Sequence, residues 1–315
     1  MKVSVLVMTY DHAEFIRQAL DSVLQQRDCD FELLISEDCS TDGTREIVLD
    51  YQRQHSEKIR LLLSEKNIRS NAVVVRGIEA ARGGYIALLD GDDYWISPHK
   101  LQKQSAFLDS HPDCAICFHN AIVRNQENEK EDRNWTPPHH PEVTTIEDLW
   151  LGNFIATCST MFRRGLVKQI PAWYESFFPI TDWPLHLLNA EHGHIGYINE
   201  VMGVYRHHSG GYYSPLTQRQ KQMETLKFYR RMNECMQYKY DGLVKTAISK
   251  YFIEWVEEYL SRGDLEAARA CYRSYLAGNP VNKYVSSGRM LSNAMRLYVP
   301  QMLLPRRWRT AKASC

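Results

Sequence analysis

Short apolar runs alternate with longer stretches of helical period through the first ninety or so residues. Lys2–Met8 is the compact apolar run that a buried strand needs, and Ala13–Leu24 sets Phe15, Ile16, Ala19, Leu20, Val23 and Leu24 on one helical face. Phe31–Ser36 repeats the strand pattern, and Asp42-Gly43-Thr44 opens a helix carrying Ile47, Val48 and Tyr51. Ile59–Leu63 is a third strand. Ala72–Ala81 is a helix that stops at Gly83-Gly84, and Tyr85–Leu89 is a fourth strand. Units of this length predict an α/β fold with a parallel sheet and helices on its faces.

The rhythm loosens after Trp95. Leu101–Leu108 and Trp183–His192 read as helices, and Ala115–Val123, Thr157–Phe162 and Val201–Tyr205 as strands. Gln126–Pro141, charged and proline-bearing, reads as an exposed loop. From Leu216 the period is helical: Gln218–Tyr238, Val244–Arg262, and a helix that begins near Gly263-Asp264 and ends near Asn279-Pro280. The last pair has the pattern of one tetratricopeptide unit or of a plain helical hairpin. A single such unit cannot bury its own face, so it would pack on the first domain, on a protein partner or on a second copy of the chain. The expected organisation is one domain over residues 1–215 and a helical region over 216–315.

Composition narrows the class. The 315 residues suffice for one large domain and a smaller one. Lys+Arg and Asp+Glu both total 38, so the overall basic excess of a nucleic-acid binder is missing. The N-terminal apolar run is too short for a signal peptide, and no apolar stretch reaches the roughly 18 residues of a spanning helix. A cytoplasmic location is therefore expected. Arg306, Arg307, Trp308, Arg309 and Lys312 make a basic tail, suited to peripheral contact with anionic lipid at the inner face of the cell membrane or to a disordered end. Cys114 and Cys117 form a C-x-x-C, but on one strand residues three apart point to opposite faces and could not share a metal.

Open parallel sheets bind ligands at the carboxyl ends of their strands. Those ends read Thr9-Tyr10-Asp11, Ser36-Glu37-Asp38 and Asp90-Gly91-Asp92-Asp93-Tyr94-Trp95. Asp90, Asp92 and Asp93 repel one another, and at the end of a buried strand that repulsion calls for a cation; Mg²⁺ and Mn²⁺ take such oxygen ligands together with phosphates. Glu37 and Asp38 lie too early to cap the following helix, for which Thr41 or Asp42 serves, so no structural role accounts for them. Asp182, ahead of Pro184, reads from its neighbours as a helix cap. His207 and His208 precede Ser209-Gly210-Gly211, where bare backbone lets an anion approach. Neither G-x-x-x-x-G-K-S/T nor G-x-G-x-x-G follows the first strand and G-x-S-x-G is missing, which disfavours P-loop NTPases, dinucleotide dehydrogenases and α/β-hydrolases.

Taken together and in order, Val5–Tyr10, Ser36–Thr44, Gly84–Trp95, Thr181-Asp182-Trp183 and Tyr205–Gly211 resemble family 2 glycosyltransferases, bacterial and inverting, of the GT-A (nucleotide-diphospho-sugar transferase) fold. The resemblance covers about residues 1–215. It implies a nucleoside-diphosphate sugar as donor, Mn²⁺ or Mg²⁺ as cofactor, and a glycan or lipid-linked acceptor in surface polysaccharide synthesis. Thr9, Tyr10 and Asp38, with Glu37 nearby, would meet base and ribose. Asp90 would stand near ribose and metal. Asp92, or Asp93 on a competing alignment, would ligate the metal with His208, and Asp182 would be the catalytic base. The loop Asn67-Ile68-Arg69-Ser70-Asn71 departs from the family's pattern and leaves Arg69 and Arg76 as alternatives for a nucleotide-binding arginine. A nucleotidyltransferase and a nucleotide-binding scaffold acting through the helical tail are the rival readings.

Overall fold

The computed structural model describes residues 1–126, 132–137, 139–211, 216–278, 282 and 285–299. The basic tail, the Asn279-Pro280 helix end and part of the 126–141 loop lie outside them. Two compact units emerge. The first comprises Met1–Leu149 and Asn153–Lys221, the second Trp150–Gly152 and Gln222–Cys315.

The first unit is an α/β fold built on one mixed sheet. Its strands are β1 Val3–Thr9, β2 Phe31–Glu37, β3 Ile59–Leu63, β4 Tyr85–Asp90, β5 Tyr94–Trp95, β6 Cys114–Asn125, β7 Arg133–Asn134, β8 Val143–Thr144, β9 Met161–Arg163 and β10 His194–His207. The order is β3-β2-β1-β4-β9-β6-β10-β5, with β7 on β6 and β8 on β10. The β3-β2-β1-β4 block is parallel, and so is the β6–β10 pair. The short β9 runs antiparallel between β4 and β6, so the two blocks point the same way. Every residue of β1 and β2 is buried, because helices cover both faces of such strands. Those helices are α1 Ile16–Leu24, α2 Thr44–Gln54, α3 Ala72–Ala80 and α4 Lys100–Ser110; α5 Ile146–Trp150 and α6 Asp182–Ala190 follow. Register sets Thr9 beside Glu37 and Met8 beside Asp90, so three polar strand ends share one edge.

Three expectations need correction. The strand foreseen at Val201–Tyr205 is the end of the much longer β10; register shifts between Ile198 and Gly203 interrupt the alternation and hide its first half. Thr157–Ser159 form a turn of 3₁₀-helix, and only Met161–Arg163 of the next residues join the sheet. Cys114 and Cys117 are both in one apolar cluster, because β6 carries an extra residue at Ala115 opposite His194–Ile195 and alternation fails there. Both are free thiols.

The second unit holds α7 Gln218–Cys235, which starts at the end of the first, then α8 Asp241–Ser261, α9 Leu265–Ala277 and α10 Ser287–Tyr298. Ile253, Val256 and Leu260 of α8, Ala268, Tyr272 and Tyr275 of α9 and Leu297 of α10 form its core. Asp264 caps α9 by accepting from Ala267 N–H at 3.0 Å. The helix α10 was not foreseen. It is tied to α8 by the forked pair Arg289–Glu257, with both bonds at 2.7 Å. No described helix is long and apolar enough to cross a membrane.

Candidate active site

Two loops at the carboxyl edge are stitched together. The Asp11 N–H donates to Ser40 Oγ, His12 N–H to Thr44 Oγ1 and Ala13 N–H to Asp42 Oδ2, while Asp11 Oδ1 accepts from Thr41 N–H. Gly43 precedes α2 with a φ of 100°, a left-handed turn that suits glycine, and Asp42 takes up the Thr44 N–H at 2.9 Å. The stitched loops hold Thr9, 4% exposed, and the half-exposed Tyr10 at the mouth of β1. A Cβ on Gly91 would stand 2.7 Å from Thr9 Oγ1 and 2.8 Å from His12 Nδ1, so the turn after β4 packs directly on these side chains.

The three aspartates of that turn diverge. Asp93 is 1% exposed and faces inward, its Oδ1 accepting from the Arg206 N–H at 2.8 Å. Burial, then the charges of Asp92 and Asp90, hold its carboxyl well above the usual range. Asp92 faces two imidazoles: His208 Nε2 lies 3.0 Å and His12 Nε2 3.7 Å from its Oδ2. Burial alone would raise the Asp92 carboxyl, but His12 and His208 outweigh it and the net shift is downward. Asp90 goes the other way: burial, Asp92 and then Asp182 raise it well above the ordinary value. Arg206 clamps the turn, donating to the Asp92 carbonyl and to Gln18 Oε1, with its guanidinium 4.4 Å from the Tyr94 ring centre and 5.1 Å from that of Phe15.

Asp182, at the start of α6, is brought close enough for its charge to bear on Asp90. It is the first residue of α6 and not the cap; Thr181 precedes the helix and makes no side-chain cap. Its Oδ1 accepts from Trp183 N–H at 2.7 Å and its Oδ2 from Asn153 Nδ2 at 2.9 Å. Asn71, fully buried at the start of α3, donates to the carbonyls of Tyr174 and Ile180 and so anchors the segment that delivers Asp182. The Tyr205 phenol is pushed up by burial first and then by the charges of Asp93, Asp92, Asp90 and Asp182.

Glu37 and Asp38 do have structural roles, contrary to the sequence reading. Glu37, fully buried, accepts from Arg45 Nε at 2.6 Å and from the Ser40 N–H. Asp38 accepts from Ser64 Oγ at 2.7 Å and from the Ile68 N–H at 3.1 Å, and so closes the loop after β3. Arg76 is committed to Ser36 Oγ, Ser64 Oγ and the Glu37 carbonyl, whereas Arg69 is exposed at a φ of 48°. His12, Arg206, Asn71 and Asn153 were missed. The strand-end rule could have flagged His12, directly beyond Thr9-Tyr10-Asp11.

A carboxylate beside two imidazoles is a fitting donor set for a divalent ion of Mn²⁺ type, which tolerates nitrogen ligands alongside oxygen. Among the described residues no group of three or more His, Cys, Asp or Glu is preassembled to hold a metal.

A family model described as glycosyl transferase family 2 matches residues 4–170. The chain belongs to that family. An uncharacterized protein of Mycobacterium tuberculosis is 38% identical to this chain over 225 residues, 70% of this chain and 64% of that protein. TuaG of Bacillus subtilis, named as a candidate teichuronic acid biosynthesis glycosyltransferase, is 35% identical over 170 residues, 53% of this chain and 64% of its own. The matches thus span a little under two thirds of these relatives' lengths. S. aureus TarS, solved with UDP, has the same fold at a TM-score of 0.54 and 21% identity over 79% of this chain and 65% of TarS. The Pyrobaculum calidifontis mannosyltransferase PcManGT, solved with GDP-Man and Mn²⁺, reaches 0.58 at 16% identity over 95% and 81%.

Proposed function

We propose that this glycosyltransferase moves a sugar from a nucleoside diphosphate to an acceptor hydroxyl by single displacement with inversion. The observation that carries the reading is the gathering of Asp90 at the end of β4, Asp92 in the turn after it and Asp182 at the start of α6, close enough that the charges of Asp92 and Asp182 both bear on Asp90. Clusters of like charge with perturbed carboxyls in a half-buried place favour a functional site.

Asp182 takes the proton of the acceptor hydroxyl as its oxygen bonds to the anomeric carbon. The bond from that carbon to the diphosphate oxygen breaks, and its electron pair leaves with the nucleoside diphosphate. Asp92 and His208, with His12 behind them, would hold a Mn²⁺ or Mg²⁺ ion. When bound, such an ion supplies Lewis-acid stabilisation of the leaving diphosphate. Asp93 is the poorer ligand candidate because its carboxyl is turned inward onto Arg206. Thr9, Tyr10, Asp38 and Asp90 line the nucleotide side, with Arg69 the freer of the two candidate arginines. The acceptor class is a hydroxyl of a glycan or lipid-linked saccharide in surface polysaccharide synthesis, which the name of TuaG supports. We place the catalytic domain in residues 1–215 and the helical region in 216–315.

Product analysis tests the reading. The chain, Mn²⁺ and a donor panel including UDP-GlcNAc and GDP-mannose are followed by proton NMR. Free nucleoside diphosphate and an inverted anomer in the first turnovers are expected. Retained configuration refutes the mechanism.

A further inference from the structure

The Asp182 carboxylate is held by a side chain that no sequence motif marks. Asn153 Nδ2 donates to Asp182 Oδ2 at 2.9 Å, and Asn153 Oδ1 accepts from the Ile155 N–H at 3.1 Å. The second contact fixes which end of the amide is which. Turning it over would set oxygen against carboxylate and NH₂ against N–H, losing both bonds at once. Ile155 is fully buried and gives the amide a firm footing. On the other side Trp183 N–H donates to Asp182 Oδ1 at 2.7 Å, and the Trp183 indole donates to the Leu149 carbonyl at 3.1 Å. Among the described residues each carboxylate oxygen therefore has one donor and keeps a lone pair for a substrate proton.

We infer that Asn153 is a positioning residue for the base: it fixes the plane of the Asp182 carboxylate and aims the free lone pairs at the acceptor hydroxyl. The inference rests on Asp182 being the base. A donor on one oxygen removes rotation about the terminal torsion, and a misplaced reacting group can lose on the order of 10² in rate.

The test compares full-length wild type, Asn153→Ala, Asn153→Asp and Asp182→Asn. Readouts are kcat for hydrolysis of UDP-GlcNAc or GDP-mannose, whichever the wild type turns over, and calorimetric binding of UDP with Mn²⁺. Asn153→Ala is expected to lower kcat by roughly 10- to 100-fold. UDP affinity should stay within about threefold, because no nucleotide contact is touched. Asn153→Asp, nearly isosteric and so safe for folding, cannot donate to the base carboxylate, and its kcat should fall at least as far. If both variants keep the wild-type kcat while Asp182→Asn is inactive, Asn153 has no such role and the base assignment survives. If Asp182→Asn turns over like wild type, the base assignment falls and this inference with it.

Discussion

Replacing Arg206 should unseat the acidic turn. The side chain is 6% exposed and donates to the Asp92 carbonyl and to Gln18 Oε1, while its charge rests against Tyr94 and Phe15. Arg206→Met keeps the apolar stem and removes the fork, leaving two acceptors without their donor. Charge-assisted bonds contribute about 1.5–3 kcal/mol each and the ring contacts about 1 kcal/mol. Burial disfavours the guanidinium charge and offsets part of this. A net loss of about 3–5 kcal/mol follows, the range found when one side of a buried charged contact is removed. Arg206→Lys keeps the charge, but a single ammonium cannot reach both acceptors, so about half the loss is expected. Urea unfolding followed by tryptophan fluorescence is a suitable assay because Trp95 closes the same turn. With a slope of about 1–3 kcal/mol per molar, the Met variant should unfold more than about 1 M earlier. Affinity for UDP with Mn²⁺ should fall at least about tenfold, since the Asp92 backbone is no longer held. An Arg206→Met protein with the wild-type midpoint and wild-type UDP affinity would refute the clamp.

Two buried histidines should make acid weaken the fold. His119 and His186 are buried, and burial pushes them down to about 3 and about 4. Unfolded imidazoles take up protons near pH 6.5 and these do not, so the stability they contribute is full above about pH 6.5 and is lost as pH falls toward 4 and 3. Each group should lower stability by about 2 kcal/mol between pH 7 and pH 5; urea midpoints at the two pH values measure it, and His119→Leu should remove about half of the drop. Gly91→Ala should cost about 1–3 kcal/mol by overpacking against Thr9 and His12, and it should weaken UDP binding in calorimetry.

The parallel half of the sheet was legible because β1, β2 and β4 are buried on both faces and read as unbroken apolar runs. The acidic turn was legible from composition, since three aspartates in four residues at a strand end have few uses. What the sequence hid was pairing at a distance. Glu37 looked idle because its partner Arg45 is recruited only when the loop folds back. Arg206 reaches Gln18 and Asp92, and Asn71 reaches Tyr174 and Ile180, over separations of more than a hundred residues that no local pattern carries. The long β10 was obscured by its own bulges, and the cysteine pair by the extra residue in β6.

The central claim is that Asp182 removes the acceptor proton beside a donor held by the aspartates at and just beyond the end of β4. Turnover and UDP binding of Asp182→Asn, measured side by side with Mn²⁺ present, test it most directly. A fall in kcat on the order of 10²–10⁴ with UDP affinity essentially intact is expected. Wild-type turnover in that variant would contradict the account.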